Sequence, residues 1–351
     1  MNFEDLRARI DLGLAEVVRG AEPLEPTFQA MAARLYGSAL ARRPKRLRPI
    51  LLLSGARLAG GSEASVFNLA LALELVHDFS VILDDVMDDD ELRRGECALW
   101  VEFGTGPAIT GGCGLYTLAM RLALRWIAEA DDHAKALTRT HAAQRLFSAA
   151  MQLHDAQLAD LAAEGSLDTS LDQSLEIARG RSILLGEAAT IGALAVGADS
   201  AFVVRLKRMG RALATAYSLI DDARSFTARE PVAGKRAGGD IRRRKMTYPI
   251  VAAFQALDAA GRTEVAALWR SPAPLDEATT FRIADRLERT DAVVRTERLV
   301  RQLKEEVDRE LLALRNQANA VAVESLRRFL AGHFDAAVRQ PATSRRQAST
   351  R

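Results

Sequence analysis

Cysteine, aromatic residues and long uncharged apolar runs are all scarce in this chain. Its 351 residues include two cysteines, Cys97 and Cys113. Their spacing matches no metal motif and one pair builds no disulfide framework, so reduced thiols in a cytoplasmic protein are expected. Aromatic side chains make up 5% of the chain and the formal net charge is +2. Few stacking platforms and no strong positive field argue against a nucleic-acid partner. The nearest approach to a long apolar run, Ser182 to Ala198, contains Glu187 and many small residues. It reads as a buried helix, and no membrane span is expected. Met1 to Glu16 is charged and lacks the apolar centre of a signal peptide. Period-two alternation between hairpin turns is missing too, which excludes a sheet-based fold.

What is abundant is helical. Hydrophobic residues make up 48% of the chain, Ala and Leu prominent among them, which suffices for a sizeable helical core. Apolar residues recurring at three- and four-residue spacing predict helices over roughly 3–19, 27–40, 46–59, 64–89, 107–129, 134–164, 171–196 and 201–225, with more from 249 to about 330. Gly60-Gly61, Gly104, Gly111-Gly112 and Gly238-Gly239 mark breaks, as glycine does between periodic segments. The fold class is therefore all-α: a single-domain bundle of long helices around a deep central cavity, spanning 1–339. Residues 340–351, rich in Ser, Thr, Gln and Arg, are expected to form a disordered tail.

The acids are clustered. Six of the eight residues from Asp84 to Glu91 are acidic, directly after the apolar stretch Leu71 to Leu83, and Arg93-Arg94-Gly95 follows. Asp84 and Asp88 stand at i, i+4 and Asp85 and Asp88 at i, i+3, so a helix sets them on one face. Carboxylates that close repel unless a cation joins them. Oxygen-only donors favour a hard cation, and magnesium above all when a phosphate-bearing substrate completes its shell. A second pair, Asp221-Asp222, also closes an apolar helix, so two acidic walls facing one another across a cavity are expected. Basic residues cluster in Lys45-Arg46-Leu47-Arg48 and again in Lys235 and Arg242 to Lys245. Two acidic and two basic clusters fit two diphosphates, one gripped through metal and the other by cations alone.

In order and spacing, these landmarks resemble the trans-isoprenyl diphosphate synthases of the polyprenyl synthetase family, from about Arg43 to Pro249. The matching residues are Lys45-Arg46-Leu47-Arg48-Pro49, Glu74 to His77, Asp84-Asp85-Val86-Met87-Asp88, Arg93-Arg94-Gly95, Gln157 with Asp160, Asp221-Asp222, Lys235, Asp240, and Lys245 with Thr247 and Pro249. The resemblance implies the isoprenoid synthase fold and a short-chain prenyltransferase, making farnesyl or geranylgeranyl diphosphate. It implies that Lys45, Arg48, His77 and Arg94 hold isopentenyl diphosphate. Asp84, Asp85, Asp88 and Asp221 would bind two or three magnesium ions on the allylic prenyl diphosphate, with Asp222 and Asp240 supporting them. Arg93, Lys235 and Lys245 would touch that diphosphate directly, and Gln157 would lie near the reacting carbons. Phe79 and Ser80, five and four residues before Asp84, would set product length as a cavity floor. A homodimer is also implied.

The pattern is broken at several positions. Ser225 stands where the second acidic motif has its third aspartate, and Ser218 where a glutamine precedes it. Arg181-Ser182 replaces a Lys-Thr pair, while Arg244 and Pro44 replace glycines. Arg181 keeps the charge for substrate binding but as a planar fork. Asp221, Ser225 and Glu230 are similar to the metal triad of class I terpene cyclases, with the glutamate one residue late. Two other readings follow: a cyclase-like or unusual-acceptor prenyltransferase on the same allylic site, and a regulatory subunit of a heteromeric synthase.

Overall fold

The periodic Ala- and Leu-rich segments form helices in the computed structural model, which describes residues 2–21, 25–37, 44–93, 95–227, 238–271, 275–315 and 318–339. In chain order these are α1 (Phe3–Arg19), α2 (Pro26–Ala32), a π-helical turn (Ala33–Gly37), α3 (Leu47–Leu58) and α4 (Glu63–Met87). A two-stranded hairpin, β1 (Leu92–Arg93) and β2 (Glu96–Cys97), leads to α5 (Leu99–Phe103), α6 (Thr105–Ala128), α7 (His133–Ala163), α8 (Leu171–Arg181) and α9 (Ile183–Leu194). Then come α10 (Ser200–Thr227), α11 (Gly239–Arg242), α12 (Tyr248–Ala256), α13 (Ala259–Trp269), α14 (Glu277–Glu288), α15 (Ala292–Ala313) and α16 (Ala320–Arg339). The all-α expectation is met. The expected tail, Arg94, Lys235 and Glu230 lie outside the described residues.

The chain forms two compact units: the first from Met1–Met151, Ile183–Arg211 and Val307–Arg327, the second from the remaining segments. In the first unit α4 is the central strut. Leu69, Leu73, Leu75 and Val76 are fully or almost fully buried, and α4 packs along both α3 and α6. Its length and hydropathy would suffice to cross a membrane, yet 67% of its apolar window is buried within the protein. That is the mark of a core helix, and it is why its charged residues matter. Two glycines bring α3 and α9 into backbone contact: a Cβ on Gly55 would lie 2.0 Å from the Ala189 carbonyl oxygen, and one on Gly192 1.8 Å from that of Leu52.

The second unit has its own core, in which Phe226, Ile241, Met246, Ile250, Trp269, Ile283 and Leu287 are buried together. Three of its helices start on side-chain caps. Ser170 and Gln173 form a reciprocal capping box on α8, and Asp258 and Asp276 cap α13 and α14. Each such cap satisfies an otherwise orphaned N–H and is worth about 1 kcal/mol.

Two differences from the periodic pattern stand out. The helix expected over 171–196 is two, because Ser182 leaves helical geometry at φ −106°, ψ 13° and its N–H bonds three residues back to Arg179. The hairpin at 92–97 has strands of two residues, too short to show alternation. Its register pairs Leu92 with Cys97 and Arg93 with Glu96.

Candidate active site

In the first unit the acidic corner is built by the end of α4 and the hairpin that follows. Asp84 and Asp85 sit on the last helical turn, and Asp88 is the C-cap, its N–H donating to the Asp84 carbonyl at 2.8 Å. Asp89 then takes a left-handed backbone, φ 47°, and turns the chain back. The hairpin returns Arg93 to the acids. Its Nε donates to Asp85 Oδ1 at 2.7 Å, its Nη2 reaches the same oxygen, and Asp84 and Asp90 each lie 3.7 Å away. Burial alone would weaken the guanidinium's hold on its proton, but the bonds to Asp85 and the charges of Asp84 and Asp90 outweigh this and raise its pKa. Asp85 and Asp88 are buried, whereas the Asp84 carboxylate is 35% exposed.

The cations expected to hold the second diphosphate lie earlier on the same scaffold. Lys45 is exposed. Arg48, on the first turn of α3, donates from Nη1 to His77 Nε2 on α4 at 2.9 Å. Arginine has no acceptor, so in this contact Nε2 is the accepting atom. Seven residues separate His77 from Asp84, two helical turns, which places them on one face about 10 Å apart along the axis.

One turn above the acids, Phe79 is buried and its ring meets Tyr116 at 5.0 Å between centroids; Tyr116 in turn meets Phe147 at 6.0 Å. Gly112 lies against it, where a Cβ would stand 3.4 Å from the Phe79 ring. Ser80 returns its hydroxyl to the His77 carbonyl at 2.7 Å. The sequence reading singled out Phe79 and Ser80 but not Tyr116 or Phe147, which come from α6 and α7 and carry no local motif.

In the second unit four of the singled-out residues join in one ionic network. Arg181, the last residue of α8, donates to Asp222 Oδ1 at 2.8 Å and lies 3.6 Å from Asp160. Buried Lys245 donates to Asp160 Oδ2 at 3.2 Å, and its N–H closes the α11 turn on the Asp240 carbonyl at 2.8 Å. Burial pushes the Asp222 carboxyl up to about 7; the guanidinium of Arg181 opposes this, and the charges of Asp240 and Asp160 add to it. Among the described residues its second oxygen is buried without a hydrogen-bond partner, as is Gln157 Nε2, one turn before Asp160. Neighbouring Asp221 points outward, 73% exposed and 3.5 Å from Arg224. Ser225, one turn on, presents a hydroxyl where a carboxylate would extend the acidic row.

Among the described residues no three His, Cys, Asp or Glu side chains converge as a ready-made metal shell. The donors nonetheless fit magnesium, which keeps several waters and binds through one or two carboxylates together with substrate phosphate.

Buried Arg46, with Asp11, Glu74, Asp78 and Tyr36 around it, was not assigned a role from sequence. The available signal was the Glu74/Asp78 pair at i, i+4 inside an apolar helix, which an unpaired acid does not occupy.

Residues 29–280 match the Polyprenyl synthetase family. The chain is 33% identical over 277 residues to a geranylgeranyl diphosphate synthase of Mycobacterium tuberculosis, covering 77% of each chain. It is 34% identical over 208 residues to a (2E,6E)-farnesyl diphosphate synthase of Mycobacterium bovis, covering 59% of this chain and 55% of that one. A solved geranylgeranyl pyrophosphate synthetase from Pyrococcus horikoshii Ot3 superposes with a TM-score of 0.79 at 22% identity, covering 97% of this chain and all of the other; this likeness speaks to the fold.

Proposed function

The chain belongs to the polyprenyl synthetase family, and from that premise we propose that it is a trans-prenyltransferase joining an allylic prenyl diphosphate to isopentenyl diphosphate. The product proposed is short, farnesyl or geranylgeranyl diphosphate, as made by the relatives named above. One observation supports the reading: α4 bears two chemically different clusters, a carboxylate corner with Arg93 and, two turns earlier, His77 bonded to Arg48.

Asp84 and Asp88 would hold magnesium on the allylic diphosphate, and Asp221 is proposed as a further ligand. Magnesium would supply positive charge to the leaving diphosphate as the C1–O bond breaks. Arg93, held by Asp85, adds a fixed cation at the same corner, where it costs no reorganisation during the reaction. Lys45, Arg48 and His77 would orient isopentenyl diphosphate so that its double bond attacks C1. The new C–C bond leaves a tertiary cation, which loses a proton from C2 to the departing diphosphate, so no protein base is required. Burial of Phe79 against Tyr116, which Phe147 meets in turn, supports a closed apolar wall that keeps water from the cation.

Incubation with magnesium, isopentenyl diphosphate and dimethylallyl, geranyl or farnesyl diphosphate tests this directly. Both substrates should disappear in step with release of one diphosphate per condensation. Loss of the allylic substrate alone would favour the cyclase-like reading, and no turnover without a partner protein would favour the regulatory one.

A further inference from the structure

Between Lys45 and Arg48, the basic motif turns one arginine inward. Arg46 is 4% exposed. Its Nε donates to Asp11 Oδ1 at 2.8 Å and its Nη1 to Glu74 Oε1 at 2.8 Å, with Asp78 Oδ2 at 3.5 Å. The Tyr36 hydroxyl donates to the same Asp78 oxygen at 3.0 Å, and the guanidinium lies 5.9 Å from the centre of the Tyr36 ring. One buried cation thus gathers three buried carboxylates from α1 and α4.

The backbone explains what this cluster is for. Arg46 is the N-cap of α3, yet it makes no side-chain capping bond and holds a left-handed conformation, φ 47°, ψ 36°. A residue with a Cβ adopts that geometry only when its surroundings impose it. No cap and no glycine does so here, so the side-chain cluster does. The turn separates inward Arg46 from exposed Lys45 and starts the helical turn that carries Arg48. On α4, Glu74 and Asp78 flank His77, which receives Arg48. A single turn of α4 therefore anchors Arg46 and also meets Arg48.

We propose that Arg46 is a positioning residue for the acceptor diphosphate: clamped by Asp11, Glu74 and Asp78, it fixes the strained turn that aims Lys45 and Arg48 at isopentenyl diphosphate beside His77. This rests on the prenyltransferase reading and adds to it a reason why the metal-free cations share one geometry.

The test uses Glu74→Gln and Asp78→Asn, which remove one charge each at constant size, and Tyr36→Phe, which deletes one hydroxyl and little else. Steady-state kinetics would be measured with each substrate varied against saturating partner. Partial unfolding lowers apparent kcat but leaves KM alone, so the KM split separates positioning from stability. KM for isopentenyl diphosphate should rise about tenfold or more in the two carboxylate variants and a few-fold in Tyr36→Phe, while KM for the allylic diphosphate moves less than twofold. Arg46→Lys should recover part of the loss seen in Arg46→Met. An unchanged KM for isopentenyl diphosphate beside a lowered Tm would make the cluster purely structural and overturn the inference. An equal rise for both substrates would overturn it too. A wild-type chain that never consumes isopentenyl diphosphate would instead remove the prenyltransferase reading beneath it.

Discussion

Asp222 should make the metal-free protein less stable as pH rises, and Asp222→Asn should remove that dependence. The folded carboxyl titrates at about 7 against an ordinary 3.8. Below pH 4 both folded and unfolded chains carry the proton, and nothing is lost. Between pH 4 and 7 the unfolded chain releases it while the folded chain keeps it, so stability falls with rising pH. Above 7 both are ionised and the loss is complete. The gap corresponds to about 4 kcal/mol in full, and about 2.5 kcal/mol between pH 5 and 8. At roughly 2.1 cal/mol/K of unfolding entropy per residue, that is a Tm difference of about 3 °C. Asparagine keeps the shape and an oxygen for Arg181 but carries no charge at any of these pH values. Thermal melts in chelator-treated buffer at pH 5, 6, 7 and 8 should show the variant drawing level with and then exceeding the wild type, the gap widening by about 3 °C across the series. Parallel Tm curves would refute the reasoning. They would mean that Arg181 neutralises Asp222 fully and that burial counts for little.

Three more outcomes are expected. Gly192→Ala forces a methyl to within 1.8 Å of the Leu52 carbonyl oxygen, so α3 and α9 must part, and denaturant melts should show a loss of about 2 kcal/mol or more; an unchanged midpoint would refute the backbone contact. Phe79→Ala should lengthen the product by at least one isoprene unit on chromatography, and adding Tyr116→Ala should lengthen it further, since Tyr116 backs the Phe79 ring. Identical product lengths would exclude this wall as the floor. Asp84→Ala should lower turnover by orders of magnitude while leaving metal-free binding of isopentenyl diphosphate intact by calorimetry, because Arg48 and His77 keep their contact; near-normal turnover would take Asp84 out of the metal shell.

How much of this is legible in the sequence depends on the range of the interaction. The end of α4 follows from apolar periodicity halted by acids, whereas α10 runs on past Asp221 and Asp222 to Thr227; both ends were read within a few residues. Asp221 and Asp222 differ by one position, about 100° around a helix, so one is exposed and the other buried; the sequence reading already gave them different duties. The hairpin was missed because four paired residues contain no period. Tyr116 and Phe147 were missed because Tyr116 meets Phe79, and Phe147 meets Tyr116, only through packing. Arg46 sits inside a basic run, where the ordinary expectation is solvent; three acids distant in sequence reverse that, and no local pattern announces it.

Backbone strain ties the charged motifs together. The described non-glycine residues with positive φ are Arg46, Asp89 and Arg244, and each adjoins a residue of the charged motifs: Lys45, Asp88 and Lys245. Such a conformation costs about 1–2 kcal/mol at each site. Arg244 occupies the place where the family resemblance calls for glycine, which would relieve the strain. Instead its side chain donates to the Ser271 carbonyl at 2.8 Å, and its own carbonyl accepts from the Gly165 N–H at 2.8 Å. Arg46 is held by three carboxylates. In both basic motifs an arginine turned away from its lysine holds the turn, and the neighbouring lysine takes its direction from that turn. Replacing either arginine by lysine would therefore preserve charge but only part of the geometry, because a single ammonium cannot make all the divergent contacts of a planar fork.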